Sequence, residues 1–213
     1  VQAGLQFTAH SVGDGAVRWY VDPIDGTSNF ARGIANWCVS IAAAIDDRIV
    51  AGVIYDPVAG HVFTADLAGA YLNGARLAGN ASPEEARAVL VTGFPNARHV
   101  AHIGPQALDA YGELLDRFLA VRNLGSGAIQ LAHVAAGWSD ATMGFDTNAW
   151  DIAAGVLIVT QAGGQYFGYR DGLSDEPLHL APHYFAVGGN VRYPTLENML
   201  ERLSHGVVAP PAA

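Results

Sequence analysis

The 213-residue chain has no lysine and one cysteine, and its eleven basic residues are arginines scattered along its length. With no basic cluster and a formal net charge of −9, nothing in it offers nucleic acid a charged patch. Cys38, in Trp37-Cys38-Val39-Ser40-Ile41, has no partner for an internal disulfide and reads as a small buried apolar residue. Hydrophobic residues make up 51% of the chain, yet polar residues or glycine interrupt every apolar run well short of a bilayer span, so no membrane segment is expected. The opening Val1-Gln2-Ala3-Gly4 lacks the basic and apolar regions of a secretory signal, and a cytoplasmic location is expected. A start at Val1 rather than Met leads us to expect further residues upstream. The eight histidines (His10, His61, His99, His102, His133, His179, His183 and His205) show no zinc-ligand spacing. His99 and His102 read as loop or surface residues. A P-loop and a dinucleotide fingerprint are also missing.

What is present is concentrated in Trp19-Tyr20-Val21-Asp22-Pro23-Ile24-Asp25-Gly26-Thr27. A β-rich apolar approach ends in two carboxylates three residues apart. Carboxylates that close repel each other unless a cation lies between them, and Mg²⁺ takes oxygen ligands while keeping waters for phosphate. Read without function, the same residues are an Asp-Pro turn followed by an Asp-Gly turn. Gly26 lets the backbone approach an anion. With Thr27 it offers amide N–H groups and a hydroxyl to phosphate oxygens, and Thr27 could also orient an attacking water. A second segment, Trp150-Asp151-Ile152-Ala153-Ala154-Gly155, opens an apolar stretch that stops at Gly163-Gly164. Asp151 therefore stands at a helix N-terminus, where by itself it would serve as an N-cap. Three carboxylates around two Mg²⁺ would leave a net positive site for phosphate, and two ions about 4 Å apart can stabilise both oxygens of an in-line displacement.

Patterning predicts alternating strands and helices without repeats. Strands are expected at Arg18–Asp22, at Trp37–Ile45 and Ile49–Tyr55 as a hairpin around Asp46-Asp47, and at His61–Ala65. Further strands are expected at Ala70–Leu72 (ending in an Asn73-Gly74 turn), Val89–Thr92, Gln165–Gly168 and Tyr184–Val187. The apolar hairpin runs suggest burial on both faces. Helices are expected at Pro105–Leu119, with Leu108, Tyr111, Leu115 and Leu119 as its apolar stripe, and at Ser126–Ala136, Asp151–Ala162 and Thr195–Leu203. The class is a mixed, layered α/β fold.

The D-P-I-D-G-T and W-D-I-A-A-G blocks resemble the two signature blocks of the inositol monophosphatase family of Mg²⁺-dependent phosphomonoesterases. Val121-Arg122-Asn123-Leu124-Gly125-Ser126-Gly127-Ala128 and Val134–Ala141 are similar to its pattern between them. The resemblance runs from about Arg18 to the C-terminal helix. It implies a five-layer α-β-α-β-α sandwich in one domain, with a metal-site subdomain over about 1–100 and a second α/β subdomain over about 101–205. It implies two or three Mg²⁺ ions, with Asp22 bridging two of them, Ile24 giving a backbone carbonyl, and Asp25 and Asp151 completing the ligands. Gly26 and Thr27 would bind phosphate, and Thr27 with Asp25 would carry catalysis. Gly125, Ser126 and Gly127 would line the substrate's alcohol portion, with Arg122 a lesser candidate. A homodimer and inhibition by Li⁺ are further implications. The expected substrate is inositol monophosphate, with histidinol phosphate, fructose 1,6-bisphosphate and 3′-phosphonucleotides as alternatives. A catalytically impaired regulatory or binding protein is the other class.

Two departures stand out. The family's Gly-Glu-Glu run before the first block is missing, for no glutamate precedes Glu84, and Asp14 in a glycine-flanked loop is the nearest upstream carboxylate. Seven residues before Asp151, where inositol phosphatases carry a hydroxyl-binding Glu, stands Gly144, and Asp146 is the acid that could take its place. Trp138, Met143 and Phe145 read as core rather than as a substrate platform.

Overall fold

A computed structural model describes residues 16–204; His10, Asp14 and His205 lie outside the described residues. Six antiparallel strands form a first sheet in sequence order: β1 (Val17–Asp25), β2 (Cys38–Ile45), β3 (Arg48–Asp56), β4 (His61–Asp66), β5 (Gly69–Leu72) and β6 (Ala75–Arg76). A short helix, α1 (Thr27–Ala31), follows β1 after one residue. Both expected hairpin turns form. Asp46 and Asp47 take φ of 49° and 58°, and Asn73 and Gly74 take 49° and 82°. Two consecutive left-handed residues match the twist of the flanking strands, and Asp, Asn and Gly tolerate that conformation best.

The second sheet has the order β10-β11-β9-β7-β8, built from β7 (Val89–Thr92), β8 (Ala120–Arg122), β9 (Ala141–Gly144), β10 (Gln165–Tyr169) and β11 (His183–Val187). Strands β7, β8 and β9 pair in parallel, while β11 pairs antiparallel with β9 and β10. Helices α4 (Gly127–Ala135) and α5 (Ala149–Gln161) lie between the sheets, sharing a core with Tyr20, Ile54 and Phe63. Helices α2 (Ala97–Ile103), α3 (Gln106–Arg117) and α6 (Pro194–Leu203) cover the far side of the second sheet around Leu90, Phe185 and Tyr193. The described residues thus supply four successive layers of the expected α-β-α-β-α order.

Helix α5 is buried continuously from Ile152 to Val159, as suits a helix between two sheets. Two glycines set how closely it packs. A Cβ on Gly52 of β3 would stand 3.1 Å from the Ala154 backbone, and one on Gly155 would stand 2.4 Å from Leu131 of α4. This close approach carries the N-terminal turn of α5, and Asp151 with it, toward the end of β1.

Several elements differ from expectation. The first sheet is buried on one face only among the described residues. Its outer face is apolar but open, with Trp19, Tyr55 and Val62 exposed. On α3 the buried side is Ala107, Ala110 and Leu114, while Leu108 and Leu115, and Leu119 just beyond its end, are each more than half exposed. Two stripes of helical period run along this segment one residue apart, and the one with small alanines packs closest. His99 is no surface residue. It is buried in α2 between Phe94 and Phe145, and its Nδ1 accepts the Asn96 N–H in a capping box. Helices α1 and α2 and strands β6, β8 and β9 were not expected; each is too short for a periodic signal. Met143 and Phe145 are core, whereas Trp138 is half exposed. Among the described residues no helix is long and apolar enough to cross a membrane.

Candidate active site

Strand alternation should place residues three apart on opposite faces of a sheet. Asp22 and Asp25 escape this because β1 bulges between them. Asp22 pairs with Ser40 and Asp25 with Cys38, so three steps on β1 face two on β2. The extra residue resets the alternation and turns both carboxylates to the buried face. Pro23, which has no N–H to give to a ladder, sits inside the bulge. The Asp22 carboxylate accepts the Ile24 N–H at 3.0 Å, and the Thr27 hydroxyl donates to the Ile24 carbonyl at 3.0 Å. Gly26 ends the strand with φ 86°, and a Cβ there would stand 3.0 Å from the Asn36 carbonyl oxygen. Only glycine meets both conditions.

Asp25 is held by the start of α4. Its Oδ2 accepts the Ser126 hydroxyl at 2.6 Å and the Ala128 N–H at 2.7 Å. Ser126 also N-caps α4 through the Ile129 N–H at 3.3 Å. Cys38 lies 3.7 Å from the Ser126 hydroxyl and is fully buried, and burial pushes its thiol pKa up. Asp151 is not the N-cap of α5. That place belongs to Asn148, and Asp151 sits three residues later, its Oδ2 accepting the Asn148 N–H at 3.0 Å and side-chain amide at 3.1 Å. Ligand oxygens of Asp22, Asp25 and Asp151 lie within 4.8 Å of one another.

Three carboxylates so close and so poorly hydrated resist ionisation. Burial, partly offset by Ser126 and Ala128, pushes Asp25 up to about 6. Burial and then the Asp25 charge push Asp151 up to about 7, and burial also raises Asp22. The acids line a cleft of about 680 Å³ with Gly26, Thr27, Gly125, Gly127 and Asp146. Asp146 has φ 53°, its N–H meets His183 Nδ1 at 3.2 Å, and its Oδ1 is buried without a partner. An all-oxygen donor set with raised pKa values and an orphaned carboxylate oxygen beside it fits a hard divalent cation.

Of the other expected residues, Gly125 and Gly127 line this cleft, while Ser126 is turned to Asp25 and to a neighbouring cavity. Arg122 is exposed on β8, donating to its neighbour's carbonyl, and lines neither space. Sequence reasoning missed Asn29, whose amide donates to Asn36 O at 2.7 Å and Leu124 O at 2.8 Å and so ties the loop before α4 to α1. It also missed Asn148, although an Asn three residues ahead of an acid at a helix start is itself a capping-box signal.

Comparison with known proteins follows the same lines. A sequence profile of the inositol monophosphatase family matches residues 3–205. The Nus factor SuhB of Pasteurella multocida is 38% identical over 162 residues, covering 76% of this chain and 60% of that protein. The inositol-1-monophosphatase of Rhizobium meliloti is 38% identical over 152 residues, 71% of this chain and 56% of that one. The chain thus spans about three fifths of the length of the curated relatives it matches. The crystal structure of the extragenic suppressor protein suhB from Bartonella henselae superposes with a TM-score of 0.75 at 32% identity, covering 90% of this chain and 71% of that chain. A profile match over nearly the whole length, with the fold shared, means that this chain belongs to the inositol monophosphatase family.

Proposed function

We propose that the protein is a Mg²⁺-dependent hydrolase of phosphate monoesters of small alcohols. The observation that carries this reading is the convergence of Asp22, Asp25 and Asp151 from two distant segments, with ligand oxygens within 4.8 Å. Asp22, Asp25, Asp151 and the Ile24 carbonyl would hold Mg²⁺. When bound, the ion would supply Lewis acidity to phosphoryl oxygen and lower the pKa of water.

The chain's own residues do the rest. Thr27 gives its hydroxyl proton to Ile24 O, so the Thr27 oxygen is left as an acceptor that orients a water toward phosphorus. Gly26 and the start of α1 bring backbone close to the phosphate. Gly125 and Gly127 leave room for the alcohol. In the net reaction the water oxygen bonds to phosphorus, the ester P–O bond breaks, and a proton from the water ends on the departing alcohol. Phosphate release from inositol 1-phosphate, requiring Mg²⁺ and lost in Asp151→Asn, tests this. Release independent of Mg²⁺ or unchanged in the variant would refute it. We further propose a cytoplasmic homodimer sensitive to Li⁺.

The SuhB relatives' designation as Nus factors supports a second reading, a binding protein that keeps the fold. Failure to bind Mg²⁺ at millimolar concentration would favour it.

A further inference from the structure

The acidic cleft has two walls. One is the turn Asp25-Gly26-Thr27 with α1, and the other is formed by Gly125 and Gly127 at the start of α4. Ser126, between those two glycines, reaches across to Asp25 on the first wall. That bond forms only if the walls are held at the right separation. Apolar burial cannot do this from α1, because none of that helix's five residues is buried.

Polar bonds do it instead, and Asn29 of α1 is the clasp. Its Nδ2 donates to Asn36 O at 2.7 Å and to Leu124 O at 2.8 Å, the latter across 95 residues of sequence. The Asn36 side-chain amide donates to the same Leu124 O, so both lone pairs of that carbonyl are engaged. A glycine on each wall makes room for these bonds. A Cβ on Gly125 would stand 2.9 Å from Asn29 Nδ2. One on Gly26 would stand 3.0 Å from Asn36 O and 3.3 Å from Ser126 Cβ. Asparagine is a poor residue for a helix interior. Neither of its acceptors belongs to α1, so the bonds serve the contact between the walls and not the helix. A nitrogen carrying two hydrogens matches two carbonyls, which a hydroxyl could not do.

We infer that Asn29, with Asn36, is a positioning residue for the cation site. It holds residues 123–126 where the Ser126 hydroxyl and the Ala128 N–H meet Asp25 at 2.6 Å and 2.7 Å. Its own bonds run to backbone carbonyls, and it acts on Asp25 through Ser126. The inference rests on the reading of Asp22, Asp25 and Asp151 as Mg²⁺ ligands.

The test is a double-mutant cycle read by calorimetric titration with Mg²⁺. The proteins are wild type, Asn29→Ala, Ser126→Ala and the variant carrying both. Asn29→Ala should weaken Mg²⁺ binding by about 2–10-fold, the equivalent of one internal hydrogen bond. The loss in the double variant should fall short of the product of the single losses by at least about twofold, because both substitutions break one connected path. Asn36→Ala leaves Asn29 in place and removes the second bond to Leu124 O. It should weaken binding in the same direction, and it takes the place of Asn29→Ala in the cycle if that variant does not fold. Phosphate release from inositol 1-phosphate and glycerol 2-phosphate is followed in parallel. Mg²⁺ binding at the wild-type value in both asparagine variants, or losses that simply multiply, would overturn the positioning role and keep the cation site. The expected shortfall in the double variant, with no phosphate release from either ester by wild type, would keep the positioning role and overturn the hydrolase. Wild type that binds no Mg²⁺ at millimolar concentration would overturn both.

Discussion

Replacing Ser126 with alanine should weaken cation binding through Asp25, without touching a ligand. The Ser126 hydroxyl donates to Asp25 Oδ2 at 2.6 Å, the foremost of three hydrogen bonds, with those of the Ala128 and Gly26 backbone, that favour the ionised form. A hydrogen bond to an ion contributes about 1.5–3 kcal/mol, and one pKa unit corresponds to about 1.36 kcal/mol. Asp25, already up to about 6, should rise by about 1–2 units in Ser126→Ala. At pH 7 the ionised fraction then drops from roughly nine tenths to between about one half and one tenth. Cations bind the deprotonated carboxylate, so the apparent Mg²⁺ affinity by titration calorimetry should fall about 2–10-fold at pH 7. The deficit should close by about pH 9, where the carboxyl is again ionised. Loss of the α4 cap should cost about 1 kcal/mol of stability, which thermal melts report separately. An affinity equal to wild type at pH 7, or a deficit undiminished at pH 9, would refute the reasoning.

Other outcomes follow from the same structure. Asp151→Asn keeps the volume and an acceptor for Asn148 but removes the charge. Phosphate release should fall by about 100-fold or more, since even partners of metal ligands are worth 10–100-fold, while circular dichroism stays unchanged. In EDTA, stability should decline as pH rises. Asp25 and Asp151 bind protons in the folded state up to about 6 and about 7, while unfolded they release them near about 3.9. Their contribution is therefore complete below that value and lost through pH 6–7; Asp151→Asn should flatten a series of melting temperatures across that range, and Mg²⁺ should offset the decline. Gly155→Ala should destabilise by about 1–3 kcal/mol, because the new Cβ would meet Leu131 at 2.4 Å; an unchanged melting temperature would contradict that packing. On α3, Leu114→Ala should cost about 2–5 kcal/mol and Leu115→Gln less than about 0.5 kcal/mol. Urea melts showing the reverse would restore the leucine stripe as the buried face.

Local chemistry determined a good deal. Asp46-Asp47 and Asn73-Gly74 had to be tight turns because few residue pairs accept two left-handed conformations in succession. The unbroken apolar run after Asp151 could only be a covered element. Asp22, Asp25, Gly26 and Thr27 have the types and spacing of a cation and anion site, but by themselves fit two successive turns equally well. What sequence could not decide was geometry that depends on partners distant along the chain. A bulge against β2, not the spacing itself, turns Asp22 and Asp25 to one face. Asp151 reaches them only because Gly52 and Gly155 let α5 pack tightly. Ser126 holds Asp25 from 101 residues away. Which of two equivalent stripes on α3 is buried, and whether His99 lies in or out, depends on the sheet beneath them. Periodicity specifies that a face exists, and only packing selects which face is covered.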